Sequence, residues 1–176
     1  MSGLRQREPP RATPRAPHVA SKSRGRGLGS HPQRLRLRLS VLSSGRHPDL
    51  PARSTLRRWL AMTLRRDAQI SLVFVDGRVG RRLNRQFRAR DYPTNVLTFG
   101  YQTRPRIVAE IVLCMPVLRR EAREQGKTLR QHLAHMVVHG ALHAQGYDHA
   151  HEREDRRMRL VERRLLARLR VPDPYA

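Results

Sequence analysis

Residues 139–149, HGALHAQGYDH, decide how the C-terminal half of this chain folds. His139 and His143 are four residues apart in a stretch of helical character, so their imidazoles lie on one face of a helix, one turn apart. Gly146 can adopt the left-handed backbone that reverses the chain. His149 follows three residues later, where a reversed chain can return it to the same point. The spacing predicts a metal centre held by His139, His143 and His149.

Three neutral imidazoles with an open fourth position are typical of catalytic rather than structural zinc. The spacing equals that of the HExxHxxGxxH pattern of metzincin peptidases, but Gly140 stands where those enzymes carry their glutamate general base. A zinc metallopeptidase is therefore the disfavoured alternative. His135, one turn earlier on the same face, is predicted to have a supporting or structural role, and His132 is predicted to be a surface residue.

A second unusual stretch, LNRQFRARDYPTNVLTF, runs from Leu83 to Phe99. In it Arg85, Arg88 and Arg90 approach a turn rich in Asp, Pro and Asn, which precedes a predicted strand. The planar guanidinium suits bidentate phosphate contacts, and loops held between helix and strand ends often carry function. From the residues alone, this stretch is either a phosphate-binding loop or a solvated basic face beside a proline turn.

Composition narrows the classes of protein. The chain has 176 residues, 38% of them hydrophobic, and a formal net charge of +23. That charge suggests a polyanionic partner, but only Lys22 and Lys127 are lysines, so a compositional preference for arginine is an equal explanation.

The lone Cys114 excludes an internal disulfide framework and a multi-cysteine zinc module. No apolar run approaches the ~20 residues needed to span a bilayer. We expect a soluble, cytoplasmic protein.

The first 33 residues differ from the rest. They combine several prolines and glycines with seven basic residues and one acid, a net charge of +6, and predict a disordered basic tail. An organellar transit peptide, an RNA-contacting tail and an over-long reading frame are the alternatives. The remaining residues, 34–176, are predicted to form the folded domain.

Within that domain, hydrophobic periodicity predicts four strands and four or five helices, hence an α+β or α/β fold. The predicted strands are at 35–41, 70–75, 96–99 and 107–115. The predicted helices are one capped by Ser54, then about 78–87, 116–125, 128–144 and 151–170. The order of the strands in the sheet is not readable from the pattern.

Both motifs resemble those of a known family. HGALHAQGYDH looks like the H-G-x-L-H-x-x-G-Y-D-H signature of the YbeY endoribonuclease and ribosomal RNA maturation factor family. LNRQFRARDYPTNVLTF is similar to its second block, L-N-x-x-[FY]-R-x-[KR]-D-x-P-T-N-V-L-[ST]-F, and residues 109–138 are similar to its G-D-I-x-[IL]-C strand and following helices. The resemblance extends from about Leu35 to Tyr175.

The resemblance implies a single compact α+β domain, with a mixed, mostly parallel four-stranded sheet flanked by about five helices and a metal site in the C-terminal helical region. It implies one Zn²⁺ held by His139, His143 and His149, with Arg88 and His139 as catalytic residues. The implied activity is single-strand-specific RNA cleavage, in maturation of the 3′ end of small-subunit (16S) rRNA and in late ribosome quality control. The implied partners are single-stranded RNA and the small ribosomal subunit, with no membrane or DNA.

A non-catalytic ribosome-assembly factor with a structural metal is the second alternative, beside the metallopeptidase. The sequence also departs from the family pattern, because Ala109 and Glu110 replace a Gly-Asp pair. If that acid orients a water or a ligand, the longer Glu110 is expected to do so differently. The segments after Phe99 and His149 are also less acidic than the family pattern, which should favour a polyanionic substrate.

Overall fold

The computed structural model describes residues 35–148 and 151–175. The predicted tail at 1–33 and the predicted ligand His149 lie outside the described residues. The described residues belong to one compact unit, Arg34–Ala176. Its elements are β1 (Leu37–Ser43), α1 (Arg53–Thr63), β2 (Ala68–Val75), α2 (Gly77–Arg88), β3 (Val96–Gln102), β4 (Ile107–Cys114), α3 (Met115–Glu124), α4 (Leu129–His143) and α5 (Glu152–Arg168).

The four strands form one mixed sheet in the order β1-β2-β4-β3. β1 and β2 are parallel, β2 and β4 are parallel, and β3 runs antiparallel to β4. The two central strands, AQISLVFV and IVAEIVLC, are the most apolar, as expected for strands that are covered on both faces. The predicted fold class, an α+β domain with a mixed, mostly parallel sheet and five helices, is confirmed.

The helices cover the two faces of the sheet unequally. The largest apolar cluster joins one face to α1, α3 and α4, through residues such as Leu60, Leu118 and Val137. On the opposite face, a smaller cluster around Val112 packs against Val79 and Leu83 of α2. α5 packs on α4 through Met158 and Leu166 rather than on the sheet. α4 therefore lies between the sheet and α5, and buried residues occur all around it.

Two glycine positions and one cap agree with the predicted helix boundaries. Thr128 and Gln131 form a reciprocal capping box at the start of α4. Gly126 and Gly146 follow α3 and α4 with φ of +61° and +87°, where a side chain would be strained. The predicted cap at Ser54 is wrong, because α1 begins at Arg53 with Ala52 as its N-cap and no side-chain cap. Among the described helices, none is both long and apolar enough to cross a membrane.

Gly140 is the point at which α4 lies against the sheet. A Cβ atom at this position would lie 2.7 Å from Cγ2 of Ile111 and 3.0 Å from Oγ1 of Thr98. Ile111 belongs to β4 and Thr98 to β3, so the helix crosses both strands in close contact. A side chain at residue 140 would therefore point into the sheet.

We expect Gly140→Ala to lower the free energy of unfolding by about 1–3 kcal/mol, because the new methyl group overpacks the contact with Ile111. Gly77→Ala is the matched control, since a Cβ at Gly77 meets nothing within 4 Å. Urea unfolding of the three proteins measures the difference. Equal stability of the two variants would contradict the close approach of α4 to the sheet.

Candidate metal centre

The two histidines of α4 converge as the sequence predicts. Nε2 of His139 and Nε2 of His143 are 3.2 Å apart, and both side chains are half-buried. Two imidazole nitrogens bound to one tetrahedral zinc at ~2.05 Å would be about 3.3 Å apart. The pair is thus already at the separation that a shared metal ion requires. The predicted third ligand, His149, lies outside the described residues and stays a prediction.

A buried carboxylate holds the other nitrogen of His139. Oε1 of Glu162, on α5, lies 3.1 Å from Nδ1 of His139, and Glu162 is fully buried. Burial raises the pKa of Glu162, but its interactions with His135 and His139 outweigh burial and lower the pKa to about 2. Glu162 is therefore ionised at neutral pH and accepts a hydrogen bond from Nδ1–H, so that Nε2 is the nitrogen of His139 that can bind a metal.

Glu162 has two further neighbours. The hydroxyl of Tyr175 donates to Oε2 of Glu162, and Nε2 of His135 lies 3.5 Å from Oε1. Burial and the contact with Glu162 raise the pKa of Tyr175, so the phenol stays protonated and keeps donating. His135 thus lies behind the His139–Glu162 pair, in agreement with its predicted supporting position.

Among the described residues, His135, His139 and Glu162 form a second group with metal-ligand chemistry, their donor atoms within 4.8 Å of one another. This group lies behind His139 and contains the fully buried Glu162, whose second oxygen already accepts from Tyr175. A catalytic metal must reach its substrate, and a cavity opens on the other side of His139. The His139–His143 pair therefore fits a catalytic metal better, with Glu162 as the carboxylate that orients His139.

That cavity has a volume of about 390 Å³ and contains both predicted motifs. Arg88 lines it together with His139 and His143, so the structure brings the arginine stretch and the histidine stretch to one place. Asn95, Thr98 and residues 146–148 form much of the remaining wall. Of the three arginines that the sequence singles out, Arg88 lines this cavity, and Arg85 and Arg90 are exposed outside it.

The position of Arg88 follows from the end of α2. Arg88 is the last residue of α2, and Ala89 then takes the left-handed conformation with φ of 54°. The side chain of Asn84, 1% exposed, donates to the carbonyl of Tyr92 at 2.6 Å. This contact attaches the loop after Arg88 to α2. The turn that carries Arg88 is therefore held in position at both ends.

His132 is buried, and the prediction that it is a surface residue is wrong. Its exposed fraction is 2%, because the first turn of α4 packs against α3. Nε2 of His132 lies 2.8 Å from Oε2 of Glu121, and the same carboxylate accepts from the Asn95 amide at 3.1 Å. These interactions lower the pKa of Glu121, although burial acts in the opposite direction. The network joins α4 and α3 to Asn95, a wall residue of the cavity.

Glu110 lies on the other face of the sheet. Along β4, Ile107, Ala109 and Ile111 belong to the cluster that includes α4, so the alternating residue Glu110 faces away from it. Its carboxylate is therefore separated from His139 and His143 by the sheet. Whatever water or ligand Glu110 orients, this position does not place it beside the two histidines of α4.

Sequence reasoning missed Glu162 and Glu121. A signal for Glu162 was present, because it lies between Met158 and Leu166 at four-residue spacing on the buried stripe of α5. An acid on such a stripe needs a buried partner. Glu121 carried no comparable signal, since its partners come from α4 and from the loop before β3.

Residues 49–170 match the profile of the family described as Endoribonuclease YbeY. The chain belongs to the YbeY endoribonuclease family. Two similar relatives bear the name Endoribonuclease YbeY. The protein of Polaromonas sp. is 50% identical over 131 residues, 74% of this chain and 85% of its own length. The protein of Thiobacillus denitrificans is 47% identical over 141 residues, 79% of this chain and 96% of its own length.

A solved structure supports the fold of this family member. The solution structure of a Thermotoga maritima protein matches it with a TM-score of 0.52 and 26% identity, covering 75% of this chain and 91% of that one. The resemblance predicted from the two motifs is thus confirmed at the level of family and fold.

Proposed function

We propose that this protein is a metal-dependent, single-strand-specific endoribonuclease that matures the 3′ end of small-subunit (16S) rRNA. The observation that supports this most directly is the cavity shared by Arg88, His139 and His143 in a member of the YbeY endoribonuclease family. It combines metal-ligand chemistry with a phosphate-binding side chain, the two requirements of phosphodiester cleavage.

The proposed metal ligands are Nε2 of His139, Nε2 of His143 and the side chain of His149, and the proposed ion is Zn²⁺. When bound, such an ion lowers the pKa of a coordinated water to near 7 and stabilises charge on phosphoryl oxygens. The two described imidazoles fit this role through their separation of 3.2 Å. Glu162 keeps His139 in the tautomer with its proton on Nδ1 and fixes the ring orientation.

The chain's own residues supply the rest of the chemistry. The guanidinium of Arg88 binds the non-bridging oxygens of the scissile phosphate and stabilises the charge that develops on them. Tyr175 holds the second oxygen of Glu162, so this carboxylate cannot swing away from His139. The nucleophile is either a water or the 2′-hydroxyl of the substrate; a 5′-phosphate product indicates the first and a cyclic phosphate product the second.

The peptidase alternative meets a physical obstacle in Gly140. A glutamate there would have to occupy space that Ile111 and Thr98 already fill, on the side of α4 that faces the sheet. The site therefore has no counterpart of the metzincin general base at that position. The assembly-factor alternative assigns the metal a structural role. The Arg88→Ala variant distinguishes this alternative from the nuclease.

We further propose that the substrate is rRNA within the small ribosomal subunit or its late precursors, and that the protein acts in ribosome quality control in the cytoplasm. The net charge of +23 suits a partner with a phosphate backbone. We expect no role for membrane or DNA.

The central experiment measures metal content and cleavage of single-stranded rRNA on the same samples. We expect about one equivalent of zinc in the wild type, and loss of both metal and cleavage in His139→Ala, His143→Ala and His149→Ala. His47→Ala is the control, because this histidine lies in the β1–α1 connection. Less than about a tenth of an equivalent of metal in gently purified wild type would contradict the site.

Glu162→Gln tests the orienting role of the carboxylate. The amide keeps the size of the side chain but removes its charge, so we expect metal affinity to fall about 10–100-fold. Competition with a chromogenic chelator measures this affinity, with Glu124→Gln as the control at an exposed position whose side chain is 62% exposed. An unchanged affinity would show that Glu162 does not act on the metal ligands.

Arg88→Ala tests phosphate stabilisation. We expect the kcat of RNA cleavage to fall about 10²–10³-fold, the range for loss of one transition-state donor, while metal content is unchanged. Arg85→Ala, one turn earlier on α2 and outside the cavity, should keep nearly full activity. If the inactive Arg88→Ala protein still complements a maturation-defective strain, the assembly-factor alternative is favoured over the nuclease.

A further inference from the structure

A second cavity, of about 410 Å³, adjoins the one that contains the histidines. Gly146, Tyr147 and Asp148 line both cavities, so this short segment is a common wall between them. Four arginines from three parts of the chain line the second cavity: Arg65, Arg66, Arg104 and Arg157. We call it the arginine cavity.

The four guanidinium groups are exposed, and their contacts are with neutral groups, such as the bond from Arg66 to the Thr103 carbonyl at 3.4 Å. Within the described part of the chain, none of them forms an ion pair with a carboxylate, whereas Arg81, Arg119 and Arg163 are each paired with an aspartate. The carboxylates that line the arginine cavity, Asp148 and Glu154, leave it with a net charge of +2. A net positive charge on exposed guanidinium groups attracts an anion.

Two of the arginines are held in place by Tyr147. The guanidinium carbons of Arg65 and Arg157 each lie 5.7 Å from the centre of the Tyr147 ring. The backbone N–H of Arg65 also donates to the Gln145 side chain at 3.0 Å, and Gln145 in turn donates to the carbonyls of Thr63 and Ala141. The segment that separates the cavities therefore also orients the arginines, which reduces the entropy lost when they bind a ligand.

We propose that the arginine cavity binds a backbone phosphate of the RNA strand, next to the phosphate that is cleaved at the histidines. This inference rests on the proposed nuclease function and names a second contact for the same substrate. A strand that crosses residues 146–148 would contact both cavities, because this segment lines each of them. Arginine forks bind phosphate oxygens without reading the bases, so the contact fixes the register of the strand but adds no sequence preference.

The test compares two double variants of the full-length protein. Arg65→Gln/Arg157→Gln removes two guanidinium groups from the arginine cavity, and Arg123→Gln/Arg168→Gln removes two exposed ones from the ends of α3 and α5, outside both cavities. Kinetics of cleavage of a single-stranded octaribonucleotide give kcat and KM. Titration of the same oligonucleotide at several salt concentrations gives the slope of log K against log salt.

For the first double variant we expect KM to rise about tenfold with kcat unchanged, because the lost contact acts equally before and during the reaction. The salt slope should fall by about 0.7, the value for one phosphate contact on a single strand. The control should change KM less than about twofold and leave the slope near that of the wild type. Metal content should stay at the wild-type level in both.

A second pair, Arg66→Gln/Arg104→Gln, leaves the contacts of Tyr147 intact and should reproduce the rise in KM, so the result does not depend on the shared wall. Wild-type KM and salt slope in both cavity variants, beside an active wild type, would overturn the phosphate subsite alone. A fall in kcat with unchanged KM would also overturn it. A wild type that neither binds nor cleaves the octaribonucleotide would overturn the proposed function itself, and the subsite with it.

Discussion

The close contact of α4 with the sheet at Gly140 is the constraint on which the site depends. With no side chain at this position, α4 lies directly on Ile111 and Thr98. The same contact sets the depth and rotation of the helix, and therefore the direction of His139 and His143 one turn apart. Because Thr98 is on β3, it also places these histidines beside the strand that follows the Arg88 turn. Packing at one glycine thus determines where the proposed chemistry is located.

Polar groups buried around α4 hold this arrangement. Glu162 contacts His139, and Glu121 contacts His132 and the loop residue Asn95. Each carboxylate joins elements that are distant in sequence, and each would be costly to bury without its partners. His132 and His139 lie two turns apart on the same helix, so the two networks attach α4 to α3 and to α5. The cavity wall is therefore built by charge pairing as well as by apolar packing.

The arginines fall into two groups. Some form ion pairs between elements at the surface, as Arg119 of α3 does with Asp49 in the connection before α1. Others, in the arginine cavity and at Arg88, line cavities that adjoin the histidines. Net charge alone could not separate these groups. Their positions show that part of the excess positive charge is concentrated around these two cavities.

The hydrophobic periodicity of the sequence was sufficient to predict the strands and helices. The apolar runs of β2 and β4 and the helical spacing of α4 and α5 are local properties. It also placed the helix ends at Thr128, Gly126 and Gly146 correctly, because capping and left-handed conformations depend on single residue types. It failed at His132, whose burial depends on α3, and at Ser54, where helix α1 begins without a side-chain cap. The strand order could not be predicted, because the hydrophobic pattern of a strand does not depend on which strand it pairs with.

By itself, the sequence determined which residues have metal-ligand chemistry, since the four-residue spacing of His139 and His143 on a helix gives a common face wherever that helix lies. Only the tertiary structure decided that Arg88 shares their cavity, that Glu162 orients His139, and that Glu110 is on the far side of the sheet. These relations depend on strand order and on the packing of α2 and α5, which long-range contacts set and local spacing does not encode.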